Sequence, residues 1–257
     1  MAYPFWINVH KNSLSGVCHI PSRNERGAAA LLIAGFPQPM CDIDYFMSRL
    51  ARRLCQKGNH VFQLDPFGVG DSSGLLEEVT YTTLVTDLCQ GIAYIQNQGF
   101  SEIHCISRGL PAYLFVELAK SLCPELRVIG LNPFHGSQDL DISLLKEKSY
   151  ELIDLYDTFP PEQVDLFLDD IGAKPSNLRG QRISGLLLKE ILAIQPDKEF
   201  IHKHIDHCIW TLSSSSEGRN KNVFSAFVRD AEWQNRIISE ICNYVSGKPG
   251  DLIANTC

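Results

Sequence analysis

The sequence predicts an α/β fold: a mostly parallel sheet with flanking helices, interrupted by a helical insertion. Three observations carry this expectation. Strand-like and helix-like patterns alternate through the first half, as parallel strands joined by crossover helices require. Residues 28–34 are a continuous apolar run, the pattern of a strand covered on both faces. After Pro133 the character changes, and residues 138–205 are rich in Leu, Asp, Glu and Lys at helical spacing, punctuated by Pro160, Pro161 and Pro175.

Taken in order, Trp6–His10 and Leu14–Ile20 read as an opening antiparallel pair joined by Lys11, Asn12 and Ser13. The strand 28–34 follows. Ile43, Phe46, Met47, Leu50 and Leu54 fall on one helical face, so residues 42–57 read as an amphipathic helix, closed by Gly58 and Asn59. His60–Leu64 is the next strand, and 80–98 a helix stopped by Gly99. Ile103–Ile106 reads as a short central strand, 108–122 as a helix, and Arg127–Leu131 as another strand. His207–Leu212 reads as a return to the sheet and Val223–Val228 as a last strand. A closing helix over 231–246 takes its apolar face from Trp233, Ile237, Ile238, Ile241 and Val245. The expected organisation is a core of 1–135 with 206–257, and a helical lid over 136–205.

The 257 residues are 44% hydrophobic and 21% charged, enough for one domain with a substantial core. A net charge of −7 and a pI near 5.6 argue against a nucleic-acid binder, which would show a basic face. The cysteines number nine and lack paired C-x-x-C spacing, and Cys105, Cys123 and Cys208 sit among apolar residues. Such free thiols fit a reducing compartment. His202, His204, His207 and Cys208 are the one dense group of metal-ligand types, and they read equally as a polar approach to a strand. No metal or organic cofactor is implied. Residues 1–10 lack the pattern of a secretory signal, and the longest apolar run, 27–36, is too short to span a bilayer. A cytoplasmic protein with no membrane role is expected.

The segment richest in chemistry is Cys105-Ile106-Ser107-Arg108-Gly109, between a short apolar strand and a helix. On a sharp strand-to-helix turn, Ser107 would stand above the sheet edge with the positive end of the helix dipole behind it. Such a turn demands small residues two positions either side, here Cys105 and Gly109. A plain helix N-cap also favours serine. Ala34-Gly35-Phe36-Pro37 closes the strand 28–34. The stretch from Asp65 to Gly74 follows the strand 60–64, and there Asp71 and Ser72 read as caps for local backbone.

The strand ending in Gly35-Phe36, the Asp65…Gly68…Gly70-Asp71-Ser72 stretch and the Ser107 turn together resemble the α/β-hydrolase superfamily over residues 14–135. The phrase Gly68–Gly74 with Asn132-Pro133-Phe134 is most similar to hydrolase-like proteins encoded beside bacterial exosortase systems. The resemblance implies acyl-serine chemistry, as in esterases, thioesterases, lipases, peptidases or acyltransferases. Ser107 would be the nucleophile, and the backbone amides of Phe36 and Arg108 the oxyanion hole. It also implies a histidine base just after the last strand, oriented by a carboxylate.

Here the sequence departs from the family, because no histidine follows His207 and residues 228–233 are Val-Arg-Asp-Ala-Glu-Trp. His135, on the loop after the strand 127–131, is the candidate base, although it also fits a lid hinge. His202 and His204 are further candidates from the lid. Glu217 is the candidate acid. Two readings stay open. One is an acyl hydrolase or acyltransferase with a non-standard triad, acting on a small-molecule acyl substrate, free or carrier-bound. The other is a hydrolase-fold protein without that chemistry, which binds a ligand or a partner.

Overall fold

The computed structural model describes residues 1–22, 28–42, 45–121, 126–133, 176–178, 181–194, 209–210 and 231–247. Their strands are β1 (Ala2–Val9), β2 (Asn12–His19), β3 (Ala29–Ile33), β4 (His60–Leu64), β5 (Ile103–Gly109), β6 (Arg127–Pro133), β7 (Ser176–Leu178), β8 (Gln181–Ile183) and β9 (Ile209–Trp210). Their helices are α1 (Phe46–Gln56), α2 (Tyr81–Asn97), α3 (Leu110–Ser121), α4 (Gly185–Ala193) and α5 (Ala231–Val245). Among the described residues, seven strands form one sheet in the order β1-β2-β4-β3-β5-β6-β9. The β1–β2 and β2–β4 pairs are antiparallel, and every later pair is parallel.

The apolar run at β3 is explained by a layer on each side. Ala29, Leu31 and Ile33 join a cluster with Leu84, Leu88 and Ile92 of α2 and Phe115 of α3. Ala30, Leu32 and Ala34 join another with Phe46, Leu50 and Leu54 of α1 and Ile237 and Ile241 of α5. Successive strand side chains point to opposite faces, so a strand between two helical layers has no polar position to offer. The expected face of α1 is the buried one: Phe46, Met47, Leu50, Ala51 and Leu54. Helix α2 starts at a reciprocal cap. Thr80 Oγ1 accepts from the Thr83 amide (3.1 Å) while Thr83 Oγ1 accepts from the Thr80 amide (2.8 Å).

Several boundaries differ from the sequence expectation. The first hairpin turns at His10 and Lys11, because Val9 pairs with Asn12. Helix α1 begins at Phe46, since Asp42 and Tyr45 both have left-handed backbone (φ 59° and 56°). Strand β5 continues to Gly109, and α3 starts only at Leu110. In the stretch expected to be helical, Ser176–Leu178 and Gln181–Ile183 instead form the antiparallel pair β7–β8, with Leu178 opposite Gln181. Helix α4 follows, and its Leu187 and Ile191 are buried in the cluster shared with α2 and α3. The rest of 136–205 and the expected strand 223–228 lie outside the described residues.

Candidate active site at the end of strand β5

The C-terminal ends of parallel strands are where α/β sheets bind ligands. Here the ends of β3, β4, β5 and β6 carry Gly35-Phe36, Asp65, Ser107-Arg108-Gly109 and Asn132-Pro133.

Ser107 is not on the strand-to-helix turn. It lies inside β5, opposite Ile33 of β3 and Gly130 of β6. Its exposure is 0%, and its Oγ is buried with no hydrogen-bond partner among the described residues. The chain bends two residues later. The β5–β6 register shifts between Arg108 and Gly109, and Gly109 has φ +65°. A nucleophile turn needs a backbone of this kind at its central residue. Among the described residues the non-glycine positions with positive φ are His10, Asp42 and Tyr45, and Ser107 is not one of them. A Cβ built on Gly109 meets nothing within 4 Å among the described residues.

Pro111 is the sequence signal for this register. Proline is tolerated only in the first turn of a helix, where its missing N–H has no intrahelical acceptor to lose. A helix starting at Leu110 satisfies that condition. A helix starting at Arg108 would put Pro111 where the ladder needs a donor. The small residues flanking the bend at two positions either side are then Ser107 and Pro111.

The expected oxyanion donors fare differently. Phe36 does lie in the loop that follows β3, half-buried, within a turn closed by the Gln38 amide donating to the Gly35 carbonyl (2.7 Å). Arg108 belongs to β5, in register with Leu131, so the amide that follows the bend is that of Leu110. The Arg108 side chain is instead tied down. Its Nε donates to Asp42 Oδ2 (3.1 Å) and its Nη2 to Asp42 Oδ1, a buried two-pronged pair. The guanidinium crosses Gly35 so closely that a Cβ there would stand 2.8 Å from Arg108 Cζ. Gly35 therefore serves a close approach as well as a turn.

Two buried carboxylates brace the loop after β4. Asp65 accepts from the amides of Met40 (2.5 Å) and Asp71 (3.3 Å), and Asp87 on α2 accepts from the Phe67 amide (2.8 Å). Burial pushes each carboxyl up to about 6, against the pull of those amides. Ser72 Oγ donates to the Asp65 carbonyl (2.6 Å) and accepts from the Ser15 amide (2.8 Å), the backbone-capping role its position implied.

His135, Glu217, His202 and His204, like His207, Cys208 and Cys123, lie outside the described residues. Cys105 is buried and is not part of a disulfide. Among the described residues no group of three metal-ligating side chains occurs, and no helix is long and apolar enough to cross a membrane.

Comparison with known structures places the architecture. Est1E from Butyrivibrio proteoclasticus, with ferulic acid bound, superposes with a TM-score of 0.55 at 16% identity, covering 74% of this chain and 71% of Est1E. The α/β hydrolase GrgF from Penicillium sp. superposes with a TM-score of 0.57 at 15% identity, covering 96% of this chain and 99% of GrgF. The fold is that of the α/β hydrolases. By sequence, an acyl transferase of Vibrio campbellii is 35% identical over 103 residues, covering 40% of this chain and 32% of that protein. An acyl transferase of Vibrio harveyi is 33% identical over 105 residues, with the same two coverages. The chain thus spans about a third of the length of the curated relatives it matches. No protein-family profile matches the sequence.

Proposed function

We propose that this α/β-hydrolase fold binds an acyl-bearing small molecule at its strand ends without forming an acyl-serine. The observation that carries this reading is the bend at Gly109. Gly109, with its φ of +65°, offers no side chain at the bend, and the hydroxyl of Ser107, two residues before it, is sealed in the sheet. What remains is a ligand-binding edge: the turn after β3, the amide of Leu110 at the start of α3, and the braced loop after β4. The ferulic acid held by Est1E and the acyl-transfer activity of the Vibrio relatives support carboxylic acids and their esters as the ligand class.

A second reading is favoured by the likeness to acyl transferases. It keeps a serine acyl hydrolase or acyltransferase, with Ser107 as nucleophile, His135 as base, Glu217 as acid, and the Phe36 and Arg108 amides as oxyanion hole. It requires Ser107 to leave the sheet. The narrower likeness to the exosortase-associated hydrolase-like proteins rests on residues 68–74 and 132–134 alone and fits either reading.

A fluorophosphonate probe separates the two. The expected result is no labelling of the folded wild-type chain, together with a rise in melting temperature on adding ferulate or a medium-chain carboxylate. Labelling of the wild type that disappears in Ser107→Ala would establish the second reading and overturn the first.

A further inference from the structure

Helix α1 buries one face and presents another. Arg49, Arg52, Arg53, Gln56 and Lys57 recur at i, i+3, i+4, i+7 and i+8, a single stripe along its outer edge. Helix α5 sets a matching stripe beside it: Asn235, Ile238, Ser239, Cys242 and Asn243. Together these residues line a cleft of about 650 Å³. It lies in the layer on the α1/α5 side of the sheet.

The charge pattern of this cleft is one-sided. Four cations stand on one wall, and the other wall offers amides and a hydroxyl. Among the described residues none of the four makes an ion pair with a carboxylate. Arg49 donates to Gln234 Oε1 (2.7 Å) and to Asn235 Oδ1, and Arg53 to Gln56 Oε1 (3.5 Å). The acidic residues of α5, Glu232 and Glu240, do not line the cleft, and Glu240 is engaged by Arg236 (2.9 Å). In a chain of net charge −7, a stripe serving only solubility or helix packing would be expected to find carboxylates across the groove. Favourable interaction with the helix dipole accounts for Arg53 and Lys57 in the last turn, but not for Arg49 and Arg52 further up. The positive field reaches the floor of the cleft: burial pushes the Cys242 thiol up to about 11, and Lys57 and Arg53 pull against it.

We propose that the α1–α5 cleft is a binding site for a small molecule bearing a diphosphate or comparable polyphosphate group. Arginine is suited to this task, because its planar fork gives paired donors to phosphate oxygens. Arg49 is already held in place by two amide oxygens, which lowers the ordering penalty on binding. The amide groups of Asn235 and Asn243 supply uncharged donors opposite. The site is independent of the turn at Gly109 and of either reading of that turn.

The test is calorimetric titration of the full chain with sodium pyrophosphate at ~50 mM and ~200 mM salt. Alongside run the double variant Arg49→Gln/Arg53→Gln and a control, Arg127→Gln, whose charge lies on β6. The expected result is saturable one-to-one binding, weakened by about tenfold or more in the double variant and unchanged in the control, with all three proteins unfolding cooperatively above the titration temperature. Absence of wild-type binding, equal binding by the double variant, or equal affinity for sulfate would overturn the proposal. So would binding to phosphatidic-acid vesicles without binding to soluble pyrophosphate.

Discussion

Three substitutions at the end of β5 test where the chain bends, and their signs depend on it. Ser107→Ala removes a buried hydroxyl that has no partner among the described residues. Leaving such a group unsatisfied costs about 1–3 kcal/mol, and part of this is regained when a methyl group takes its place. A gain of about 1 kcal/mol raises the melting temperature of a domain this size by about 2–4 °C. Ser107→Gly forfeits about 0.5–1 kcal/mol relative to the alanine variant, because glycine loosens a strand interior. Gly109→Ala places a Cβ residue at φ +65°, a conformation that costs about 1–2 kcal/mol. The added methyl meets nothing within 4 Å among the described residues, so the backbone term dominates. If the bend were at Ser107, the order would reverse: Ser107→Gly would stabilise most, and Gly109→Ala, inside a helix, would stabilise as well. Differential scanning calorimetry of the four proteins decides. A glycine variant at 107 more stable than the alanine variant, or Gly109→Ala melting at or above wild type, would refute the assignment of the bend.

Other perturbations follow from the same structure. The Asp87 carboxyl is raised to about 6 in the folded chain, so between pH 4 and 6 the folded state holds a proton that the unfolded state has lost, and this group's contribution falls as pH rises. Asp87→Asn should therefore gain stability relative to wild type across that window and hold a constant difference above it, as read from urea midpoints at each pH. Asp42→Ala removes the carboxylate from the buried Arg108 guanidinium and should cost about 3–5 kcal/mol, whereas Arg236→Gln, on an exposed pair, should cost under about 1 kcal/mol. Phe115→Ala, at a fully buried position of α3, should cost about 3–5 kcal/mol in the same assay.

The parts of this fold legible in the sequence are those set by burial periodicity. Strand β3 reads directly because both its faces are covered, and α1 because Phe46, Met47, Leu50 and Leu54 fall on one stripe. The parts that were not legible depend on local backbone geometry or on distant partners. The β7–β8 pair has three residues in each strand and no apolar alternation, so nothing in its pattern set it apart from the Leu-rich surroundings. At β5 a serine two residues before a glycine matched the expected spacing by composition, while Pro111, which dates the helix start, carried the better information. The Arg108–Asp42 pair joins residues 66 apart, through a loop whose path no local pattern specifies. The pattern around residues 105–109 thus marked the segment where the strand gives way to a helix, and the positive φ falls at Gly109, two residues after Ser107.

Under the reading proposed above, glycine at position 109 carries no cost in stability. A Cβ at position 109 would meet nothing within 4 Å among the described residues, and glycine there avoids the penalty of a positive φ. The surrounding strand ends tell a different story. Asp42, Asp65, Asp87 and Arg108 are all buried there, and two of these carboxylates sit well above their ordinary range because burial outweighs their hydrogen bonds. Apolar residues in place of buried ionic groups often stabilise a fold, so an edge that had only to hold together would have more stable solutions. These groups fix the positions of Met40, Phe67 and Asp71 backbone and of the turn before Phe36. The proposed ligand-binding role gives these buried ionic groups a reason to be kept, since they hold the backbone of the strand ends in fixed positions.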